Sequence, residues 1–435
     1  MVLKISAKNN LRGVIKLPGD KSISHRAVML GAIARGKTEV KNLLEAEDLF
    51  STISCFRKLG IKIEKTRGRW IVQGQGLKGL SEPEDILNAF NSGTTMRLIL
   101  GILSAQEFYS VITGDRYLRL RPMQRVVKPL RLMGANIWGK DEGNYPPLSI
   151  KGGRLKAITY QLPLPSAQVK SCLLLAGLYA QGETKVIEKV KSRNHTEKML
   201  NAFGAKIKVK GEEISIQREE IRASKIIIPG DLSAAAFFIG AGLITKDSRV
   251  TILDVGVNPT RSGCLSLFQK MGGEINLFNQ REYSQEPVAD IEVRTSNLKG
   301  VNISSSIIPS LIDELPLIAV VATQAEGETK ISGAKELRVK ETDRIKAITS
   351  ELRKMGAEIE EKPSGMIIKG RQRLKGARVK SFGDHRMAMS LAIAGLIAKG
   401  TTKIEDADCI ATSFPEFEKT LEGMKSKCQT LKPKF

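Results

Sequence analysis

One signature recurs along the chain and fixes its architecture before any single motif is read. The last turn of an amphipathic helix, a glycine and a strand-like start occur together at residues 56–63, 130–137, 200–207, 268–275 and 352–359, centred on Gly60, Gly134, Gly204, Gly272 and Gly356. A glycine just past a helix supplies the left-handed residue that ends it, so each copy predicts a helix-to-strand step. A second punctuation alternates with the first: Gly36, Gly182, Gly327 and Gly400 each close an Ala/Leu/Ile-rich segment and open a strand. The repeat runs about 70 to 80 residues, well beyond solenoid periods, so each unit is a whole α+β subfold, and six fit the 435 residues. A sixth helix, 417–424, has the same register and lacks its strand.

The turn at Ile228-Pro229-Gly230-Asp231, ahead of an apolar helix at 234–244, divides the six into two groups of three. The strand-like stretch 2–16 precedes the first unit and is expected to pair with the second group. The fold class is therefore α/β, built of α+β subfolds, with one lobe over 21–229 and another over 1–20 plus 230–435. With no low-complexity linker between them, the halves are expected to share a cleft instead of working as independent modules.

Composition narrows the partners. A net charge of +23 points to anionic ones: nucleic acid, acidic membrane surfaces, or small phosphorylated and carboxylated molecules. Aromatic residues make up only 5%, which argues against a base-stacking surface, and the lysines are scattered instead of forming a tail. No apolar run reaches membrane-spanning length and Met1-Val2-Leu3-Lys4 opens no signal-peptide core, so a cytoplasmic protein is expected. The five cysteines have neither paired nor metal-ligand spacing, which predicts reduced thiols and no disulfide. His25, His195 and His385 lie far apart and in no HExxH pattern, so no metal site is expected.

Candidate chemistry lies at helix starts. Pro18-Gly19-Asp20-Lys21-Ser22-Ile23-Ser24-His25-Arg26 breaks a strand and puts Lys21, Ser22 and Arg26 ahead of an apolar helix at 27–34, an anion cradle beside a positive helix end. It is not a Walker A loop, because Asp20 separates Gly19 from Lys21-Ser22. Asn91-Ser92-Gly93-Thr94-Thr95-Met96-Arg97 precedes a helix at 98–103, where Gly93 would let an anion reach backbone N–H groups; an N-capped core helix reads equally well. Arg121 stands in an arginine-rich loop and could grip a carboxylate or phosphate bidentately. Ser166-Ala167-Gln168 opens a buried helix at 172–180 with a hydroxyl, a backbone N–H and an amide. Arg193 is a further phosphate partner, while Thr196 and Glu197 read as helix-start capping.

The second half differs in carrying acids inside apolar surroundings. Asp313 and Glu314 stand between Ile312 and Leu315, and one of them is expected to be a tuned base. In the run from Arg338 to Arg344, Lys340 and Arg344 share one face if the segment is helical, with Glu341 alongside for proton transfer; a salt-bridged helix start is the plainer reading. Asp384-His385-Arg386 opens one more buried helix and adds His385 and Arg386 to the binding candidates, though a lone His there more often has a structural hydrogen bond.

Taken in order along nearly the whole chain, these motifs closely resemble the 5-enolpyruvylshikimate-3-phosphate synthase family. The resemblance implies two lobes, each of three βαβαββ units in an inside-out α/β barrel, with the active site in the cleft between them. It implies transfer of the enolpyruvyl group of phosphoenolpyruvate to the 5-hydroxyl of shikimate 3-phosphate by addition and elimination, with release of phosphate and no cofactor. Carried over by position, Lys21, Ser22, Arg26, Ser166, Ala167, Gln168, Arg193, Asp313 and Lys340 are shikimate-phosphate contacts. Lys21, Gly93, Arg121, Gln168, Arg344 and Arg386 resemble the phosphoenolpyruvate site, and Asp313, Glu341 and Lys21 the catalytic groups. The partners implied are these two small molecules, with no nucleic acid or membrane, and a monomer is expected.

Two positions depart from the pattern: Glu336 and Thr412 stand where some members have asparagine and lysine. The variants at Ser92, Ser166-Ala167 and 192–197 look like the branch often less sensitive to glyphosate. Two rival readings are an enolpyruvyl transferase acting on UDP-N-acetylglucosamine, which commonly carries a loop cysteine absent from residues 114–123, and an RNA-binding protein on the same subfold.

Overall fold

In a computed structural model, which describes residues 1–424, the chain forms two compact units. The first unit comprises Gly19–Pro229 with Glu282–Glu286; the second comprises Met1–Pro18, Gly230–Arg281 and the chain from Pro287 onward. The break falls two residues before the expected one, because Asp20 belongs with the helix it caps and its N–H donates to the Pro229 carbonyl. The tip 282–286, expected in the other lobe, sits in the first unit through Ser284 Oγ, which accepts from the Ile227 N–H at 2.9 Å, and the Gln285 carbonyl, which accepts from Lys198 at 2.7 Å.

Six sheets carry the repeat among the described residues, five of four strands and one of three. In one of them Leu87–Asn88 runs parallel to Tyr109–Thr113, which pairs antiparallel with Tyr145–Lys151, itself paired with Asn136–Gly139. The same order recurs around Thr159–Gln161 and Glu183–Ile187, and around Asn302–Ile303 and Glu328–Ile331. The stretch 2–16 is two strands serving two sheets of the second unit. Arg12–Lys16 runs parallel to Arg249–Gly256, while Leu3–Ser6 runs antiparallel to Thr401–Glu405 with Leu3 opposite Ile404. Leu3–Ser6 thus takes the antiparallel place in the sheet of the last repeat.

The glycine signature does what its chemistry requires. All five glycines have φ between 85° and 97°, and the next N–H reaches back to the carbonyl five residues earlier, as in Ile61 to Phe56 at 3.0 Å and Gly273 to Phe268 at 2.8 Å. That bond closes a Schellman motif and satisfies a carbonyl the helix would leave orphaned. At three copies an arginine secures the following strand: Arg57, Arg131 and Arg353 donate to the carbonyls of Ile63, Ile137 and Ile359.

Six helices buried over most of their length fill the two cores: Lys21–Ile33, Gly93–Leu103 and Ala167–Gly177 in the first unit, and Leu232–Ile244, Leu315–Ala322 and His385–Ile397 in the second. Their apolar character on all sides reflects burial against both sheets and neighbouring helices. Gly101 shows how close the packing is, since a Cβ there would lie 2.3 Å from the Cys172 carbonyl oxygen on the adjacent helix. The helices also start earlier than apolar content predicts, at Lys21, Gly93 and Ala167 instead of 27, 98 and 172. Asp20, Ser92 and Ser166 accept backbone N–H bonds at their starts, so polar residues become the first turn.

Candidate active site

In the first unit the three helix starts carry most of the predicted binding residues. None has an acid in its first turn; the first is capped by the Asp20 carboxylate, whereas the other two are capped by the neutral Ser92 and Ser166. Lys21 and Ser22 open the first helix, and Lys21 Nζ is held 2.9 Å from Asp48, the second residue of the Glu47–Lys58 helix. Arg26, one turn further, is buried and bonded only to neutral groups: Nε to Thr196 Oγ1 at 2.6 Å, one Nη to Ser171 Oγ at 2.7 Å and the other to the Ser22 carbonyl at 2.8 Å. Burial outweighs the nearby acids and lowers its pKa to about 10.

Gly93 faces two guanidinium groups; a Cβ on it would stand 3.1 Å from Arg97 and 3.4 Å from Arg121. Arg97 donates to Gln168 Oε1 at 2.7 Å and Gln168 Nε2 donates to Thr94 Oγ1 at 3.1 Å, so the Gly93 and Ala167 helix starts are stitched together. Arg121 is steadied by the Asn91 side chain at 2.5 Å. Ser166 and Ala167 stand at the start of the third helix, with Ser166 as its cap. Arg193 lies in the segment ahead of the His195–Ala202 helix, and its charge acts on Arg26.

Thr196 and Glu197 are not capping residues, contrary to the sequence expectation. Thr196 accepts from Arg26 and its hydroxyl lies 2.6 Å from that of Ser171, whereas Glu197 and Glu188 enclose the fully buried Lys170 at 2.6 and 2.7 Å. A buried ammonium draws carboxylates away from a helix start that solvent could satisfy. His195 Nδ1 lies 2.8 Å from Glu286.

In the second unit the candidates form a charge-balanced cluster. Asp313, in the turn Ile312–Glu314, places Oδ1 3.3 Å from Arg344 and 4.0 Å from Lys340. Arg344 is almost wholly buried and also meets Asp384 at 2.7 Å and Glu341 at 2.7 Å. Burial opposes its charge, and Asp384, Glu341 and Asp313 more than offset that, raising its pKa. Burial lowers the Lys340 pKa, against the pull of Asp313.

Lys340 and Arg344 do not share a helix face. Asp343 caps a helix that begins at Arg344, and Lys340 ends the preceding short turn in an extended conformation. Of the two neighbouring acids, Glu314 is the structural one: it receives Ser233 and lies 3.2 Å from Arg386. Asp384 caps the His385–Ile397 helix through the Arg386 N–H at 2.8 Å, with His385 as the first helical residue. Glu336 lies in the turn Lys335–Val339, and Thr412 donates to the Cys409 carbonyl at 2.7 Å.

Sequence reasoning missed Arg97, Asp48, Asp384 and Ser233 as site-building groups. Arg97 was findable, because four residues past Gly93 is one helical turn. Among the described residues no group of three or more His, Cys, Asp or Glu is set to hold a metal ion. Cys55, Cys172, Cys264 and Cys409 are free thiols, and Cys428 lies outside the described residues. No helix among the described residues is long and apolar enough to cross a membrane.

Two α/β units with polar and charged groups gathered at buried helix starts define the framework of an enzyme that works on small anionic molecules. The family model of EPSP synthase (3-phosphoshikimate 1-carboxyvinyltransferase) matches residues 5–421. The chain is 52% identical to a 3-phosphoshikimate 1-carboxyvinyltransferase of Thermoanaerobacter sp. (strain X514), covering 97% of this chain and all of the relative, and 50% identical to one of Pelobacter propionicus over 98% and 99%. The solved EPSP synthase of Acinetobacter baumannii superposes with a TM-score of 0.87 at 43% identity, covering 97% of this chain and 98% of that one. The chain belongs to the EPSP synthase family. Neither rival reading, the UDP-N-acetylglucosamine enzyme or the RNA-binding protein, is favoured by these matches.

Proposed function

We propose that this enzyme transfers the enolpyruvyl group of phosphoenolpyruvate to the 5-hydroxyl of shikimate 3-phosphate with the residues located above, in the route to chorismate and the aromatic amino acids. In the first unit Lys21, Ser22, Arg26, Ser166, the Ala167 N–H, Gln168 and Arg193 take the shikimate phosphate and ring hydroxyls, and Asp313 and Lys340 of the second unit take the remainder of the ring. Lys21, Gly93, Arg121, Gln168, Arg344, His385 and Arg386 take phosphoenolpyruvate. Asp313 accepts the 5-hydroxyl proton as that oxygen attacks the enol carbon. Glu341 and Lys21 give a proton to the methylene and later remove one, so the double bond reforms as phosphate departs. The cations stabilise charge on the leaving phosphate.

The observation carrying this reading is the setting of Asp313, the less buried of two adjacent acids, opposite Lys340 and Arg344. The two cations hold this carboxylate in place to meet the hydroxyl proton. The enzyme is expected to act as a cytoplasmic monomer on these two small molecules and not on nucleic acid. A coupled assay tests the assignment: phosphate is released only when both substrates are present, and Asp313→Ala or Lys21→Ala nearly abolishes it. Full activity in either variant refutes the assignment of that residue.

A further inference from the structure

We propose that a buried line of hydrogen bonds through His25, Thr52, Thr95 and Ser92 is a positioning device for the turn at Gly93, with His25 fixed as the neutral imidazole protonated at Nδ1. The inference rests on the reading above only in taking that turn as part of the phosphoenolpyruvate site. His25 Nδ1 lies 2.7 Å from Thr52 Oγ1, Thr52 Oγ1 lies 2.7 Å from Thr95 Oγ1, and Thr95 Oγ1 donates to Ser92 Oγ at 2.7 Å. All four residues are fully buried. Ser92 is the residue whose side chain caps the Gly93 helix, so the line ends on the group that sets where that helix begins.

Proton counting fixes the direction. Each hydroxyl has one proton to give, and Thr95 spends its own toward Ser92, with the Asp48 carbonyl, which can only accept, also near it at 3.5 Å. Thr95 therefore accepts from Thr52, and Thr52 accepts from His25, which places the imidazole proton on Nδ1. The reverse direction would put that proton on Nε2, for which no hydrogen-bond partner stands among the described residues. A buried N–H without an acceptor is rarer and costlier than a lone pair without a donor. Burial, then the charges of Lys21 and Arg26, hold the ring well below its ordinary pKa, which keeps the Nδ1–H form neutral.

The line also ties three helices together. Thr52 and Asp48 lie on the same helix, and Asp48 holds Lys21 while Thr52 joins His25 to Thr95. Lys21 and the Gly93 turn are thereby referenced to a single rigid element. A site built on helices locked by such supporting bonds keeps its geometry where a loop would not.

Two measurements on the full chain test this. Nitrogen-15 NMR of histidine-labelled protein, with His25→Asn used for assignment, is expected to show a neutral ring protonated at Nδ1 that does not titrate between about pH 5.5 and 8. An Nε2-protonated ring, or titration in that window, overturns the assignment. In steady-state kinetics Thr95→Val is expected to raise KM for phosphoenolpyruvate about tenfold, while kcat and KM for shikimate 3-phosphate stay within about twofold, and Thr95→Ser restores the value. A folded Thr95→Val enzyme with unchanged KM for phosphoenolpyruvate overturns the positioning role. If Thr95→Val does not fold, Thr52→Val and Thr52→Ser are read in the same way, and the NMR result on the unaltered protein still decides the proton placement. Should the unaltered protein release no phosphate from the two substrates, the functional reading fails and the NMR result stands apart from it.

Discussion

The same subfold begins its buried helices differently in the two units. In the first, the three starts are marked by Asp20, Ser92 and Ser166, and at the site Arg26 donates to hydroxyls and a carbonyl while Arg97 and Arg121 donate to the side-chain oxygens of Gln168 and Asn91. In the second, the corresponding starts carry Asp231, Glu314 and Asp384, and at the site Arg344 and Arg386 meet carboxylates. A guanidinium held by neutral oxygens keeps its charge available to an incoming anion, whereas one held by carboxylates is already neutralised. At the site, the first unit is built to attract phosphate and carboxylate groups; the second is built to hold acids in place.

The sharpest way to break this contrast is Asp313→Asn. Loss of a general base is expected to lower kcat by about 10²- to 10⁴-fold with the protein still folded, read in the phosphate-release assay. A near-normal rate would reduce the second unit's acids to charge balance. The next largest effect concerns stability. Arg344→Met strands Asp384, Glu341 and Asp313 and is expected to cost about 3 to 5 kcal/mol in urea unfolding. Arg26→Met strands only hydroxyls and a carbonyl, and about 1 to 3 kcal/mol is expected. Equal losses would erase the distinction between the units.

Two pH effects follow, and both are smaller. Lys340 has a pKa below the ordinary 10.5 of lysine, so its charge is lost at lower pH than usual. KM for shikimate 3-phosphate should climb with rising pH ahead of that value, and Lys340→Arg should flatten the climb. His25 is neutral in the folded state while the unfolded chain binds a proton below about pH 6.5, so its contribution to stability is present above that pH and is lost as pH falls. The loss is at most about 1.4 kcal/mol per pH unit, and His25→Asn should remove it from the unfolding profile.

Much of this was legible in the chain itself, for a physical reason. The repeat was readable because a helix end needs a left-handed residue, and Gly60, Gly134, Gly204, Gly272 and Gly356 mark it five times. Helix starts were read too late because periodicity follows apolar residues, while Asp20, Ser92 and Ser166 act through caps that extend the helix backward. The motif positions of Lys21, Arg26, Asp313 and Arg344 were also readable, but their partners were not. Asp48 lies 27 residues from Lys21 and Asp384 lies 40 from Arg344, so only the folded chain pairs them. Thr196 and Glu197 show the opposite error, since local rules assigned them to their own helix while distant Arg26 and Lys170 claimed them.

The strand Leu3–Ser6 has a consequence for how the protein is made. It lies far along the chain from its sheet partner Thr401–Glu405, with Ser6 preceding Thr401 by 395 residues. The first unit is continuous as far as Pro229, with only the tip 282–286 to follow, whereas Leu3–Ser6 has no partner strand in its sheet until Thr401–Glu405 has been made. The first unit can therefore be completed before the second, and the later one carries the acids.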